Sequence, residues 1–292
     1  MDSRDIKEEP RIDSHYLESM FLMQEDLIKS YSRIENIPLP PIDVNTKKSQ
    51  SIIKDFSARI IEELSEGFES YEAIYQSLST HQLLFNRSPR DFEEVVRSFQ
   101  NLQNLSEELA DAIHFYLELL IYVNVGPDDI ISYIEKFVPE VVIEKSLFQE
   151  TLTDIMETGS ILIRRKYPEV DIFKQSINQV DLYKVAEDFD FGITHHKLKT
   201  LGSVITMNGE VLHKCILWDI THHINIARNF LKNKPWKQTQ MLTQEAAFQG
   251  ELVRGFILLM GYLAILGGDA GLVYYIYFKK NLVNRFRIES KY

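Results

Sequence analysis

Apolar side chains recur every three or four residues through most of the chain, and runs alternating at every second residue are nearly absent. Tyr16, Met20, Met23, Leu27 and Tyr31 mark a first helix over 13–35, which Pro38-Leu39-Pro40-Pro41 must break. Ile53, Phe56, Ile60, Leu64 and Phe68 line one side of a second helix over 49–69. Residues 70–104 are more polar and are expected to hold a helix or two, with Ser88-Pro89 as a start signal. A strong helix follows over 106–123, stopped by Gly126-Pro127. The pattern then weakens into shorter helices over 127–210, where Met207-Asn208-Gly209-Glu210 suggests a short hairpin within 201–211. Residues 212–232 are helical, Pro235 interrupts, and 243–266 and 270–287 form a closing pair around Gly267-Gly268. These periods predict an all-α fold in one domain over 1–292.

Composition narrows this reading. Of 292 residues, 45% are hydrophobic, which excludes wholesale disorder, and the few Gly and Pro suit a helical chain. One cysteine, Cys215, excludes an internal disulfide and a cysteine-rich zinc cluster, and suits a reducing compartment. A net charge of -11 disfavours a broad nucleic-acid-binding surface but not a small anion held through bound cations. Met1–Arg11 has no apolar core, so it does not read as a signal peptide. The most apolar stretch, Gly255–Phe278, is broken by Gly267-Gly268-Asp269 and predicts a buried helix pair or dimer-interface helix, with no membrane role.

Candidate chemistry lies on two of the expected helices. Glu63 and Glu66 stand at i, i+3 on the second, and Glu108 and Asp111 at i, i+3 on the helix over 106–123. Each pair is about 4.5 Å apart along its axis and sits beside the apolar stripe. Two such helices packed together would cluster four carboxylates, which repel unless a divalent cation neutralises them. Hard oxygen ligands suit Mg²⁺, with Mn²⁺ as a substitute and a phosphate chain as co-ligand. The same spacing also describes two helices with solvated acidic edges. On the last helix, Lys280, Asn284 and Arg287 recur at i, i+4, i+7, joining a point charge, an amide and a bidentate fork on one face. His195-His196 and His222-His223 point about 100° apart if helical, and His213-x-Cys215 lacks partners at zinc spacing.

Three blocks in order give the chain a family resemblance. They are Leu17-Glu18-Ser19-Met20 with Gln24 and Leu27; Glu63-x-x-Glu66 with Glu108-x-x-Asp111-x-x-His114-Phe115; and Lys280-Asn281-x-x-Asn284-x-Phe286-Arg287 with Tyr292. Together they resemble the dimeric all-α dUTPases of the MazG-like all-α nucleoside triphosphate pyrophosphatase superfamily. The resemblance implies a helical bundle of that type, with 70–104 as a helical insertion and 127–240 as a divergent region. It implies a homodimer that hydrolyses dUTP to dUMP and pyrophosphate, working in the cytoplasm or, if phage-encoded, in the host's. Glu63, Glu66, Glu108 and Asp111 would hold two or three Mg²⁺ ions that activate a water, with Glu66 taking its proton. Lys280 and Arg287 would clamp phosphates, and Asn281 and Asn284 would contact the sugar or phosphates. Gln24 would bond the base edge, His114 and Phe115 would line the base or sugar pocket, and Tyr292 would close over the nucleotide.

The match departs from the family at positions that bear on the base. The tryptophan- and lysine-rich stretch expected after the first acidic pair is absent, and Lys234-Pro235-Trp236-Lys237-Gln238 is a candidate substitute. Ile28 stands where the family often has a uracil-reading asparagine. Two other expectations therefore stand beside dUTP: dCTP, dTTP or a modified pyrimidine deoxynucleotide as substrate, or a non-catalytic, nucleotide-sensing helical protein.

Overall fold

The computed structural model describes residues 6–10, 15–81, 89–138, 151–170, 179–181, 204–206, 210–231 and 242–290. Among the described residues the chain forms an all-α helical bundle with one small ribbon. The helices are α1 (Tyr16–Glu35), α2 (Lys47–His81), α3 (Pro89–Tyr122), α4 (Pro127–Phe137), α5 (Thr151–Lys166), α6 (Glu210–Phe230), α7 (Glu245–Ile265) and α8 (Ala270–Glu289). Strands β1 (Gln179–Asp181) and β2 (Val204–Thr206) pair antiparallel, Gln179 opposite Thr206 and Asp181 opposite Val204. The hairpin expected within 201–211 is replaced: β2 takes its partner from upstream, and Glu210 already opens α6.

The second and third helices are much longer than their apolar stripes suggest, at 35 and 34 residues. The described part of 70–104 continues these two helices and forms no separate insertion helices. They make one antiparallel hairpin. Ile42 N–H donates to the Tyr122 carbonyl (2.9 Å), Phe56 stacks on Tyr122 (5.4 Å between centroids), and Ser98 meets Ser77. Its inner face stays apolar beyond the acidic pairs, with Tyr71, Ile74, Phe99 and Leu102 buried. Polar residues cover the outer faces, which is why the stretch reads as a separate, more polar segment and not as a continuation of the two helices.

From Gly255 onward helix α7 is apolar on every side and forms the bundle's spine, while Glu245, Gln249, Glu251 and Arg254 keep its first half more polar. It starts at Glu245, ten residues ahead of Gly255, and is long and apolar enough to cross a membrane by length and composition. Of that apolar window, 67% is buried inside the protein. The break expected at Gly267-Gly268-Asp269 is present, and the helix reaches 21 residues by starting ahead of the most apolar stretch. Helix α5 crosses it where Gly159 meets Gly261, and a Cβ on either would collide with the other helix's backbone. Gly267, at φ 92°, then turns the chain, and the Asp269 carboxylate caps α8 by accepting from Leu272 N–H (2.7 Å). This turn directs α8 back against α1 and α3. Tyr16 stacks on Tyr274 at 5.0 Å, and His114 stacks on Tyr277 at 4.1 Å.

Candidate functional site

The hairpin register brings the two acidic pairs together. Oxygens of Glu63, Glu66 and Glu108 all lie within 4.8 Å of one another, with Glu66 exposed and the other two half-buried. Asp111 sits one turn along α3 and is held by α8: Lys280 Nζ lies 2.6 Å from Asp111 Oδ2, and both side chains are largely sequestered. Burial first, then the negative charges of Asp111 and Glu108, push the Glu63 carboxyl up to about 8. Glu63 therefore keeps a proton at neutral pH and donates it to Glu108, whose own carboxyl is also raised, chiefly by burial. Burial raises Asp111 too, opposed by the Lys280 and Arg287 charges. Oxygen-only donors that cannot all ionise together fit a hard divalent cation such as Mg²⁺. Glu63, Glu66 and Glu108 form the ready set; Asp111 is engaged by Lys280.

Beside this cluster opens a cavity of about 680 Å³, walled by α1, α2, α3 and α8. Glu63 and Asp111 line it, and so do Gln24, His114, Phe115, Asn284 and Arg287. Five of the residues expected at the site thus share one cavity with two of the four carboxylates. Gln24 is buried and fixed at both ends: Nε2 donates to Glu118 Oε2 (3.4 Å), and Tyr277 O–H donates to Oε1 (2.9 Å). His114 is buried and donates Nδ1–H to the Ala110 carbonyl (2.8 Å). Burial drives its pKa down to about 3, so the ring is neutral and its buried Nε2 is an acceptor with no partner among the described residues.

Other expected residues fall elsewhere. Asn281 does not line the cavity: it is 0% exposed, and its Oδ1 accepts from Arg285 Nε at 2.8 Å. The reason is rotational, since Asn281 stands about 90° around the helix from the Asn284–Arg287 face. Lys280 is drawn to Asp111 and does not line the cavity either. Ile28 is likewise a core residue, so Gln24, Leu27 and Tyr31 are what α1 presents to the cavity. Tyr292, His195-His196 and Lys234–Gln238 lie outside the described residues. His213 is buried against Tyr71, and His223 pairs with Glu251 at 2.7 Å.

Sequence reasoning missed several cavity residues, among them Glu118 and Arg59. Glu118 continues the face of Glu108, Asp111 and His114, so counting on to i+10 would have found it. Arg59 stands one turn before Glu63 on the same face of α2, with Cζ 5.5 Å from the Phe115 ring centroid. No protein-family model, curated protein or solved structure matches this chain.

Proposed function

We propose that the protein is a Mg²⁺-dependent deoxynucleoside triphosphate pyrophosphohydrolase that converts dUTP and water to dUMP and pyrophosphate. The supporting observation is that an acidic cluster and a cationic helix face open on one cavity, through Glu63 and Asp111 on one side and Asn284 and Arg287 on the other. When bound, the metal supplies Lewis acidity at the phosphate chain and a nucleophilic water. Glu63, Glu66, Glu108 and, once freed from Lys280, Asp111 are the residues to hold it. Water oxygen bonds to the α-phosphorus, the bond from that phosphorus to the bridging oxygen breaks, and pyrophosphate leaves. Glu66, the solvent-exposed carboxylate, takes the water's proton. Lys280 and Arg287 offset charge on the phosphates. Phe115 offers a face to the base, and Gln24 presents its amide to the base edge.

Ile28 is buried, so Gln24 is the amide that α1 brings to the cavity, and dUTP is to be compared with other pyrimidines. A hydrolysis panel of the four deoxynucleotides and dUTP with Mg²⁺ tests the reading. We expect dUMP and pyrophosphate from dUTP, with activity abolished by EDTA, Glu66→Gln or Asp111→Asn. Wild-type rates in either variant would reject the site. A poorer rate on dUTP than on dCTP and dTTP would reject uracil as the base.

A further inference from the structure

The α2–α3 register repeats one turn away from the acidic cluster. Glu63 faces Glu108 and Asp111; four residues back on α2, Arg59 faces Phe115, four residues on from Asp111. Because the helices are antiparallel, both moves run the same way along the cavity, about 6 Å at 1.5 Å per residue. The acidic rung is thus followed by a cation-over-ring rung, and both line the cavity.

Arg59 is poised to move. Its side chain is 51% exposed, and its ion pair is with Asp55 on its own helix, Nε to Oδ2 3.1 Å. Exposed pairs at i, i+4 add only a few tenths of a kcal/mol and do little to hold a side chain in place. Phe115, by contrast, is seated: half-buried, it packs against Phe56 with centroids 6.5 Å apart. A mobile planar cation over a fixed aromatic face is a two-jawed clamp for a flat heterocycle.

We propose that Arg59 closes over the nucleobase and holds it against Phe115, one sugar's length from phosphates at the acidic rung. This rests on the nucleotide reading of the cavity and adds a base-binding residue to it. The guanidinium stacks on the ring, and Asp55 releases Arg59 as the base enters. Stacking favours any planar pyrimidine, so Arg59 sets affinity for the base as a class and leaves the choice among pyrimidines to Gln24.

Calorimetry on the full chain with Mg²⁺ tests this, using a non-hydrolysable α,β-imido analogue of dUTP and inorganic tripolyphosphate as the base-free probe. For Arg59→Ala, affinity for the analogue is expected to fall about tenfold, the scale of a desolvated cation on an aromatic face, with tripolyphosphate unchanged. Phe115→Leu is expected to show the same selective loss. Equal loss for both probes makes Arg59 a phosphate contact and overturns the proposal. No loss for either also overturns it and leaves the nucleotide site standing. Wild-type protein that binds neither probe overturns the nucleotide reading along with it.

Discussion

Lys280 Nζ lies 2.6 Å from Asp111 Oδ2, tying the last helix to the third at the edge of the acidic cluster. The contact sets a cation against the most enclosed carboxylate of the cluster, and Glu63 and Glu108 are left to share a proton between them. It also joins the second and last blocks of the candidate site through a single ion pair.

Breaking one side of that pair strands a charge in a poorly solvated place. Lys280→Met is expected to cost about 3 kcal/mol in urea unfolding, near the lower end for a buried pair that loses one partner. Adding Asp111→Asn should recover part of the loss. A double-mutant cycle with no coupling would show that the pair contributes nothing.

Glu63 gives stability a pH dependence of definite sign. Its carboxyl titrates near 4.5 when unfolded and at about 8 when folded. Between those values the folded chain holds a proton that the unfolded chain has lost, so metal-free stability falls as pH rises from 4.5 to 8. Glu63→Gln should flatten this limb. Mg²⁺ should release protons on binding at pH 7, measurable by calorimetry in buffers of different ionisation enthalpy. Binding without proton release would contradict the assignment of Glu63 as a ligand.

The acid side has a different origin. His213 is buried against Tyr71, and burial lowers its pKa to about 4; His114 is lowered to about 3. Here the unfolded chain gains protons first, so stability is lost as pH falls from 6.5 through these values. His213→Phe keeps the stacking and should lessen acid unfolding between pH 6 and 4, followed by circular dichroism. An unchanged acid limb would place its origin elsewhere.

The crossing of α5 and α7 allows no side chain at either glycine. Gly261→Ala forces two helix backbones apart at Gly159 and is expected to cost about 3 kcal/mol, at the upper end for overpacking. Chemical denaturation reads this directly, and a variant as stable as the parent would mean the helices do not touch there.

Local periodicity was enough to place Glu63 with Glu66 and Glu108 with Asp111, because i, i+3 spacing is a property of one helix. It also placed Ile53, Phe56, Ile60 and Leu64, all buried, and the Gly267 turn. What it could not supply was the register between helices. Arg59 gains meaning only because α2 and α3 are antiparallel and bring it over Phe115. Asn281 was misplaced for a related reason: the motif that carries it names neighbours in sequence, while the helix turns them to different faces. Residues 70–104 hid two helical continuations, since a hairpin arm needs only a narrow apolar stripe.

Because the acidic rung and the Arg59–Phe115 rung ride on the same two helices, the distance between them can change only in steps. One residue inserted between 59 and 63 would swing a rung about 100° out of the cavity. A full turn added to both helices would keep the facing and lengthen the gap by about 5.4 Å. The hairpin therefore works as a fixed-length gauge, and related chains adapted to longer or shorter ligands should differ by whole turns in both helices together.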